Sequence, residues 1–283
     1  MASATARFVV ALINARDQDL KDIMSQALLH AQAWAEGYEL IDRQLSPLGL
    51  KAIETLGLGE GDIVLDIGCG AGQTLLQLAE RVGTKGQVIG VDVAPLLLDI
   101  AKRRTETLSQ VRLIQADAQF LDLPPESADA VFSRFGVMSF TDPVAAFANF
   151  HRTLKPSGVL AFSCWRSLQE NELDLLPLAA SGQQSLVDET PFSFAAPEYI
   201  RRTLEAAGFR DIIIQPHDEK VSSGDLDAMT WVLLKVGPLG KIVREKLVLR
   251  ETAEPLLREA LAALGDPSRV QLSASIWIVT ARV

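Results

Sequence analysis

Cysteine is nearly absent from this chain of 283 residues: Cys69 and Cys164 stand about 95 positions apart, which makes neither a disulfide framework nor a metal-ligand set. They read as small buried hydrophobes of a reducing compartment. A basic excess is absent too. The 27 Lys and Arg face 36 Asp and Glu, a formal charge of -9, which argues against a protein that grips a nucleic-acid backbone. The short clusters Lys102-Arg103-Arg104 and Arg201-Arg202 fall where solvated helix faces are expected. No apolar run can cross a bilayer. The segment "ARFVVALINAR" has an apolar core of six residues between Arg7 and Arg16, too short to span and without a cleavage pattern, although a weak interfacial contact stays open for it. A soluble, cytoplasmic protein without nucleic-acid partner or membrane span is the expectation, and homodimerisation is left open. Histidine is scarce, with 3 in the chain, so acid-base candidates are few.

What is present is globular composition, 48% apolar and 22% charged. Residues 17 to about 58 have helical spacing, with Leu20, Ile23, Met24, Ala27, Leu28, Trp34, Tyr38 and Ile41 on the apolar side. Gly37 interrupts that stretch, and Ser46-Pro47 is expected to end it, with Gly49 opening the next. From Asp62 the pattern changes to short Val/Ile/Leu runs alternating with helical segments, the signature of a parallel α/β sheet. Strands are expected at "DIVLDI", "GQVIGVDV", "VRLIQAD", "DAVFSRF" and "GVLAFSCW", a sixth at "DIIIQP" and a seventh at "SIWIVTARV". Helices are expected near 71 to 82, 95 to 107 and 142 to 154, and another over "SFAAPEYIRRTLEAAGF", with Pro197 in its first turn and Gly208 as its stop. The expected architecture is a Rossmann-like, mostly parallel seven-stranded sheet with helices on both faces, over 59 to 283. An N-terminal helical lid (1 to 58) and cap insertions at about 167 to 196 and 217 to 271 complete it, because such long connections form their own structure or serve function.

Between the first strand and its helix stands "VLDIGCGAGQTLLQLA" (64 to 79). Its glycines, Gly68, Gly70 and Gly72, are followed by Gln73, so the dinucleotide pattern G-x-G-x-x-G is not met, and no Gly-Lys-Ser/Thr of a P-loop follows. Glycine lets a backbone turn sharply and approach a ligand. Asp66 at the strand end disfavours a pyrophosphate and suits a ligand with an ammonium group, such as an amino-acid nucleoside.

At these residues the sequence resembles the class I S-adenosylmethionine-dependent methyltransferases, and more closely the branch with the ubiquinone/menaquinone C-methyltransferases and many small-molecule methyltransferases. The likeness covers roughly 34 to 165 and rests on several motifs in order: "VLDIGCGAG", "GVDVAPLLLDIAKRR", and the stretch from "ADAQFLDLPP" to "LKPSGVL". Ser157 replaces the family's usual Gly, and Phe140 stands where many members have His. The resemblance implies S-adenosylmethionine as cofactor, with S-adenosylhomocysteine as product. By position, Asp66, Cys69 and the loop glycines would hold its methionine part, and Asp92 with Val93 its ribose. Asp117 and Ala118 would face the adenine, while Ser133 and Arg134 would border the methyl group. Each has a plainer reading: Asp92 and Asp117 as caps of the following segments, Arg134 as a partner of the N-terminal segment.

Methyl transfer from a sulfonium needs a general base only for some acceptors. His30 and His217 are the candidates, His217 as a residue following the sixth strand; His151 reads as structural. Trp34, Tyr38, Phe135, Met138, Phe140 and Trp165 are candidate walls of an apolar acceptor pocket, with Phe192 and Phe194 as additions and Arg134 and Arg166 as polar handles. About half of the aromatics would be ordinary core. No Asn/Asp-Pro-Pro-Tyr/Phe follows the fourth strand and no acidic cluster suggests a metal. The expected function is methylation at C, N or O of a small, largely apolar or aromatic metabolite, with natural-product biosynthesis as its expected setting. Alternatives are a quinone-precursor C-methyltransferase, a cofactor-binding protein with a cyclase-like reaction, and a non-catalytic partner that dimerises through the extra helices.

Overall fold

The computed structural model describes residues 25–283. The segment 6 to 16 and the expected helix positions Leu20, Ile23 and Met24 lie outside the described residues. Seven strands form one sheet: β1 (Ile63–Ile67), β2 (Gln87–Asp92), β3 (Val111–Gln115), β4 (Ala128–Arg134), β5 (Leu154–Trp165), β6 (Arg210–Gly224) and β7 (Val270–Arg282), in the order β3-β2-β1-β4-β5-β7-β6. The first five run parallel, and β7 pairs antiparallel with both β5 and β6. Strand order reverses between β1 and β4, and the carboxyl edge at such a reversal is where open α/β sheets hold ligands.

Apolar runs without alternation are expected of strands covered on both faces, and the core divides accordingly. Val64, Ala130 and Phe132 point to one layer, Leu65, Ile67 and Val131 to the other. The helices are α1 (residues 25–36), α2 (Tyr38–Glu54), α3 (Gln73–Val82), α4 (Pro95–Arg104), α5 (Pro143–Thr153), α6 (Glu172–Ala180), α7 (Pro197–Ala206), α8 (Leu226–Leu233), α9 (Gly237–Glu245) and α10 (Arg250–Ala262). Their ends follow local chemistry. The Asp142 carboxylate accepts from the Ala145 N–H at 3.0 Å and Pro143 fills the first turn of α5; Lys102, Arg103 and Arg104 occupy the last turn of α4, where cations meet the negative helix end.

Three sequence expectations are corrected here. Ser46-Pro47 does not end the N-terminal helix, because α2 runs through Pro47 to Glu54. An interior Pro costs about 3 kcal/mol. Burial of Ile41, Leu45, Leu48, Ala52 and Ile53 beside Val64 and Phe132 outweighs it, since each larger side chain contributes about 1.5 to 3 kcal/mol. Leu28, expected on the apolar stripe, is 52% exposed. The second insertion is also narrower than 217 to 271, because β6 extends to Gly224 and β7 begins at Val270.

These extensions form a two-stranded ribbon beyond the parallel sheet, from the pair His217/Ile276 to the pair Gly224/Val270. Its apolar residues Val221, Leu272 and Ala274 share a core with Met229 and Val232 of α8, Ile242 of α9 and Leu257 of α10. The ribbon thus carries the cap helices. The first insertion carries α6, and Phe194 within it is 1% exposed against Phe147 and Phe162.

Candidate functional site

The carboxyl ends of β1, β2 and β4 converge on the loop 68–72. Gly68, Gly70 and Gly72 all have positive φ, at 71°, 53° and 87°, but their surroundings differ. A Cβ on Gly68 would stand 2.8 Å from the Gly136 Cα, so two backbones cross there and only glycine fits. Above Gly70 nothing lies within 4 Å of that position. The loop is therefore closed on its protein sides and bare at its crest.

Asp66, at the end of β1, is fully buried and its Oδ2 accepts a hydrogen bond from the Thr74 hydroxyl. Its Oδ1 has no partner among the described residues. Burial pushes the Asp66 carboxyl up to about 7, against the pull of Thr74 and the Arg134 charge. The Asp92 carboxylate, at the end of β2, accepts from the Gly70 N–H at 2.8 Å and the Ala94 N–H at 2.9 Å. Each oxygen keeps a lone pair for a further donor. Asp117 caps the short turn Ala118–Phe120 by accepting from the Gln119 N–H at 2.9 Å. Beside these acids Val93 is 63% and Phe120 75% exposed, two apolar faces at neighbouring strand ends; Ala118 is buried.

Ser133 is sealed in, its hydroxyl donating to the Ile67 carbonyl at 2.7 Å and accepting from the Gly136 N–H at 3.1 Å. It ties the end of β1 to the turn after β4. Arg134 turns toward the N-terminal helices: its guanidinium reaches Gln73 Oε1 and, at 3.5 Å, Asp42 Oδ1. Asp42 Oδ2 meanwhile accepts from Arg104 at 2.7 Å, and Arg104 donates to the Ala71 carbonyl at 2.9 Å. One buried carboxylate thus straps α2 to α4 and β4, and the Asp42 backbone carbonyl accepts from the Gln73 amide of α3 at 3.2 Å. Nothing in the local sequence around Asp42 marked it, because both arginines arrive from far along the chain.

The aromatic candidates separate. Phe135 has φ 62° and stacks on Trp165 with ring centroids 4.1 Å apart and planes 12° off parallel. A side chain with that backbone conformation is strained. Trp34 and Tyr38 pack on Ala71, Leu97 and Ile100 next to the glycine loop, and the buried Trp34 Nε1 has no partner among the described residues. Phe140 packs edge-on against Phe150 beneath α5, and Met138 belongs to that same layer.

His217 does not follow the sixth strand. It lies within β6, opposite Ile276, with Nε2 3.5 Å from Glu219. His30 keeps an exposed edge, 3.4 Å from Arg244; desolvation by the surrounding helices, with Arg244 and Lys241, holds it down at about 4. Arg166, expected as a handle, is committed to Glu170 and Asp218. Among the described residues no group of three His, Cys, Asp or Glu could hold a metal, and no helix is long and apolar enough to cross a membrane.

A methyltransferase domain family matches residues 64–158. The demethylmenaquinone methyltransferase of Staphylococcus epidermidis is 27% identical over 184 residues, 58% of this chain and 74% of that protein. That of Staphylococcus aureus is 24% identical over 180 residues, 58% of this chain and 75% of the relative. In fold, the chain is similar to the YcgJ protein of Bacillus subtilis, with a TM-score of 0.56 and 20% identity over 83% of this chain and 97% of that one. It is also similar to phosphoethanolamine N-methyltransferase 2 of Haemonchus contortus, with a TM-score of 0.54 and 20% identity over 83% and 52%.

Proposed function

Because the chain belongs to the class I S-adenosylmethionine-dependent methyltransferases, we propose that it methylates a small, largely apolar or aromatic molecule over the carboxyl edge of its sheet. The observation that carries this reading is the stacked Phe135–Trp165 pair, held beside the glycine loop by a strained backbone.

The cofactor fits the residues present. Asp66 Oδ1 is an unpaired buried acceptor suited to an ammonium group, and the bare crest at Gly70 admits close approach of a ligand. The free lone pairs of Asp92 suit two adjacent hydroxyls. Asp117 takes an exocyclic amine, and Val93 and Phe120 offer apolar faces to a planar base. When bound, S-adenosylmethionine supplies an electrophilic methyl group on a sulfonium whose departing thioether is neutral. The chain's own part is alignment and exclusion of water. Ser133 fixes the turn that aims Phe135, Trp165 backs the Phe135 ring, and Trp34 of α1 packs beside the glycine loop. Arg134 and Asp42 anchor α2 rather than touching the acceptor. On this reading neither His30, held neutral on the exposed side of α1, nor His217, within a strand, acts as a general base.

A second reading, carbon methylation of a quinone precursor, is supported by the demethylmenaquinone relatives. One experiment tests both. The protein is incubated with methyl-labelled S-adenosylmethionine and either a small-molecule extract or 1,4-dihydroxynaphthalene, and products are read by mass spectrometry. A labelled apolar small molecule is expected, and carbon-labelled naphthalenediol selects the second reading. Label found only in macromolecules overturns the substrate class.

A further inference from the structure

Acids outnumber bases in this chain, 36 to 27, yet one cavity is lined by three cations and no carboxylate. It opens between α2 and the ribbon of β6 and β7, has a volume of about 330 Å³, and brings together Arg43, Lys220 and Arg269 with Ser222 and Gln271. The strand period sets this pattern. Val221, Val270 and Leu272 are buried in the cap core, which leaves Lys220, Arg269 and Gln271 for the opposite face of the ribbon. A bulge widens that face: between the pairs Val221/Leu272 and Gly224/Val270, Ser222 and Ser223 of β6 stand against Gln271 alone. Arg43 and, one turn on, Pro47 supply the side formed by α2.

None of the three cations has an ion-pair partner among the described residues, whereas Arg250 and Arg258 of the same cap are held by Glu254 and Asp227. The Arg43 guanidinium donates to the Ser223 carbonyl at 3.1 Å, a neutral acceptor that fixes the group at the bulge and leaves its charge uncompensated. Gly224 makes room for it, since φ there is 139° and a Cβ would stand 3.1 Å from Arg43 Nη1. Acids close by in sequence are engaged elsewhere. Glu219 lies 3.5 Å from His217, Asp225 accepts from the Ala228 N–H at 2.9 Å, and Asp266 accepts from the Ser268 N–H at 2.9 Å. Cations gathered without acids repel one another, and an anion among them relieves that repulsion.

We propose that this cavity binds a small molecule bearing a phosphate or diphosphate group. Arg43 and Arg269 offer planar forks that match phosphate oxygens, and Lys220 adds a point charge. The Gln271 amide is a neutral donor, while Pro47 and Val221 present apolar atoms to a carbon skeleton beyond the phosphate. None of the lining residues belongs to the glycine loop or to the acids at the strand ends, so this is a second site and not an arm of the first. It goes beyond the methyltransferase reading and holds whatever the methyl acceptor is.

The test measures binding of inorganic pyrophosphate to the full chain by titration calorimetry, with and without saturating S-adenosylhomocysteine, at an ionic strength held constant with sodium chloride. One pyrophosphate per chain is expected, with an affinity that S-adenosylhomocysteine changes by no more than about twofold. Lys220→Ala and Arg269→Ala, both exposed, should each weaken binding by about threefold, and the double variant by about tenfold. Lys246→Ala removes an exposed cation outside the cavity and should leave it unchanged; an unaltered urea midpoint verifies that each variant is folded. Equal losses in all the single variants would assign the effect to overall charge and overturn the site, as would no binding at millimolar pyrophosphate. Displacement of pyrophosphate by S-adenosylhomocysteine would place the anion in the glycine loop and overturn it too. Binding to oligothymidylate or to phosphatidic-acid vesicles without binding to pyrophosphate overturns the small-molecule assignment. A chain that binds pyrophosphate as expected but not S-adenosylhomocysteine would lose the methyltransferase reading and keep this one.

Discussion

Asp66 in the glycine-loop half and Asp174 in the cap half are both buried carboxyls pushed up to about 7, yet they sit in different kinds of structure. Asp66 lies within 10 residues of Thr74, Gly68 and Gly72, on a strand-loop-helix unit that the local sequence dictates. Asp174 meets Gly237 across 63 positions of chain, through helices that pack on a β ribbon rather than on the parallel sheet. A loop built locally can keep one ligand through wide sequence change. A cap assembled from distant pieces can change without disturbing that loop, so the two halves should respond separately to mutation.

The largest effect is expected where α2 is strapped to the glycine-loop half. Asp42→Ala leaves the buried Arg134 without its carboxylate, and the loss of one partner of a buried pair costs about 3 to 5 kcal/mol. Urea unfolding should show it, with an unchanged m-value. A loss under about 1 kcal/mol would mean that α2 is held by its apolar face alone.

Within the loop, glycines of like conformation should part company. Gly68→Ala adds a methyl group against the Gly136 backbone and should lower stability by about 2 to 4 kcal/mol through strain and overpacking. Gly70→Ala meets open space and should cost about 1 kcal/mol in folding, with its main effect on cofactor affinity. Calorimetry on both variants checks the contrast; equal losses of stability would place the ligand elsewhere. Asp92→Ala comes next. It removes the acceptor of the Gly70 N–H and, on the proposed reading, of the ribose hydroxyls, so S-adenosylhomocysteine should bind about 1 to 3 kcal/mol more weakly, measured by calorimetry.

The same contrast explains what could be read from sequence. The strand cores, the glycine loop and the acids at three strand ends were legible because each is a short stretch with its own chemistry. Phe135 and Trp165 were legible as candidates, but their stacking depends on the register of β4 against β5. Pro47 misled because its local cost is smaller than the burial that α2 gains across the sheet. His217 misled because β6 continues beyond "DIIIQP" through alternating polar residues that face solvent on the ribbon. Asp42 had no local signature at all. Its role comes from arginines brought near by tertiary packing.

The smallest expected effect is a pH dependence of cofactor binding that belongs to the glycine-loop half, since the likewise raised Asp174 adds only to the pH dependence of stability. The Asp66 carboxyl is raised above its ordinary value, so between about pH 4 and 7 the folded protein holds a proton that the unfolded chain has released. Stability of the ligand-free protein therefore falls as pH rises through that window, and Asp66→Asn removes its share of the slope. Cofactor affinity should move the other way, because an ammonium group pairs only with the ionised carboxyl. From pH 6 to pH 7.5 affinity for S-adenosylhomocysteine should rise by up to about tenfold, equivalent to about 1.4 kcal/mol, until the ligand's own amine begins to lose its proton. Titration calorimetry in buffers of different ionisation enthalpy separates proton release from the intrinsic heat. Proton release on binding that persists unchanged in Asp66→Asn would assign the effect to another group and detach Asp66 from the ammonium.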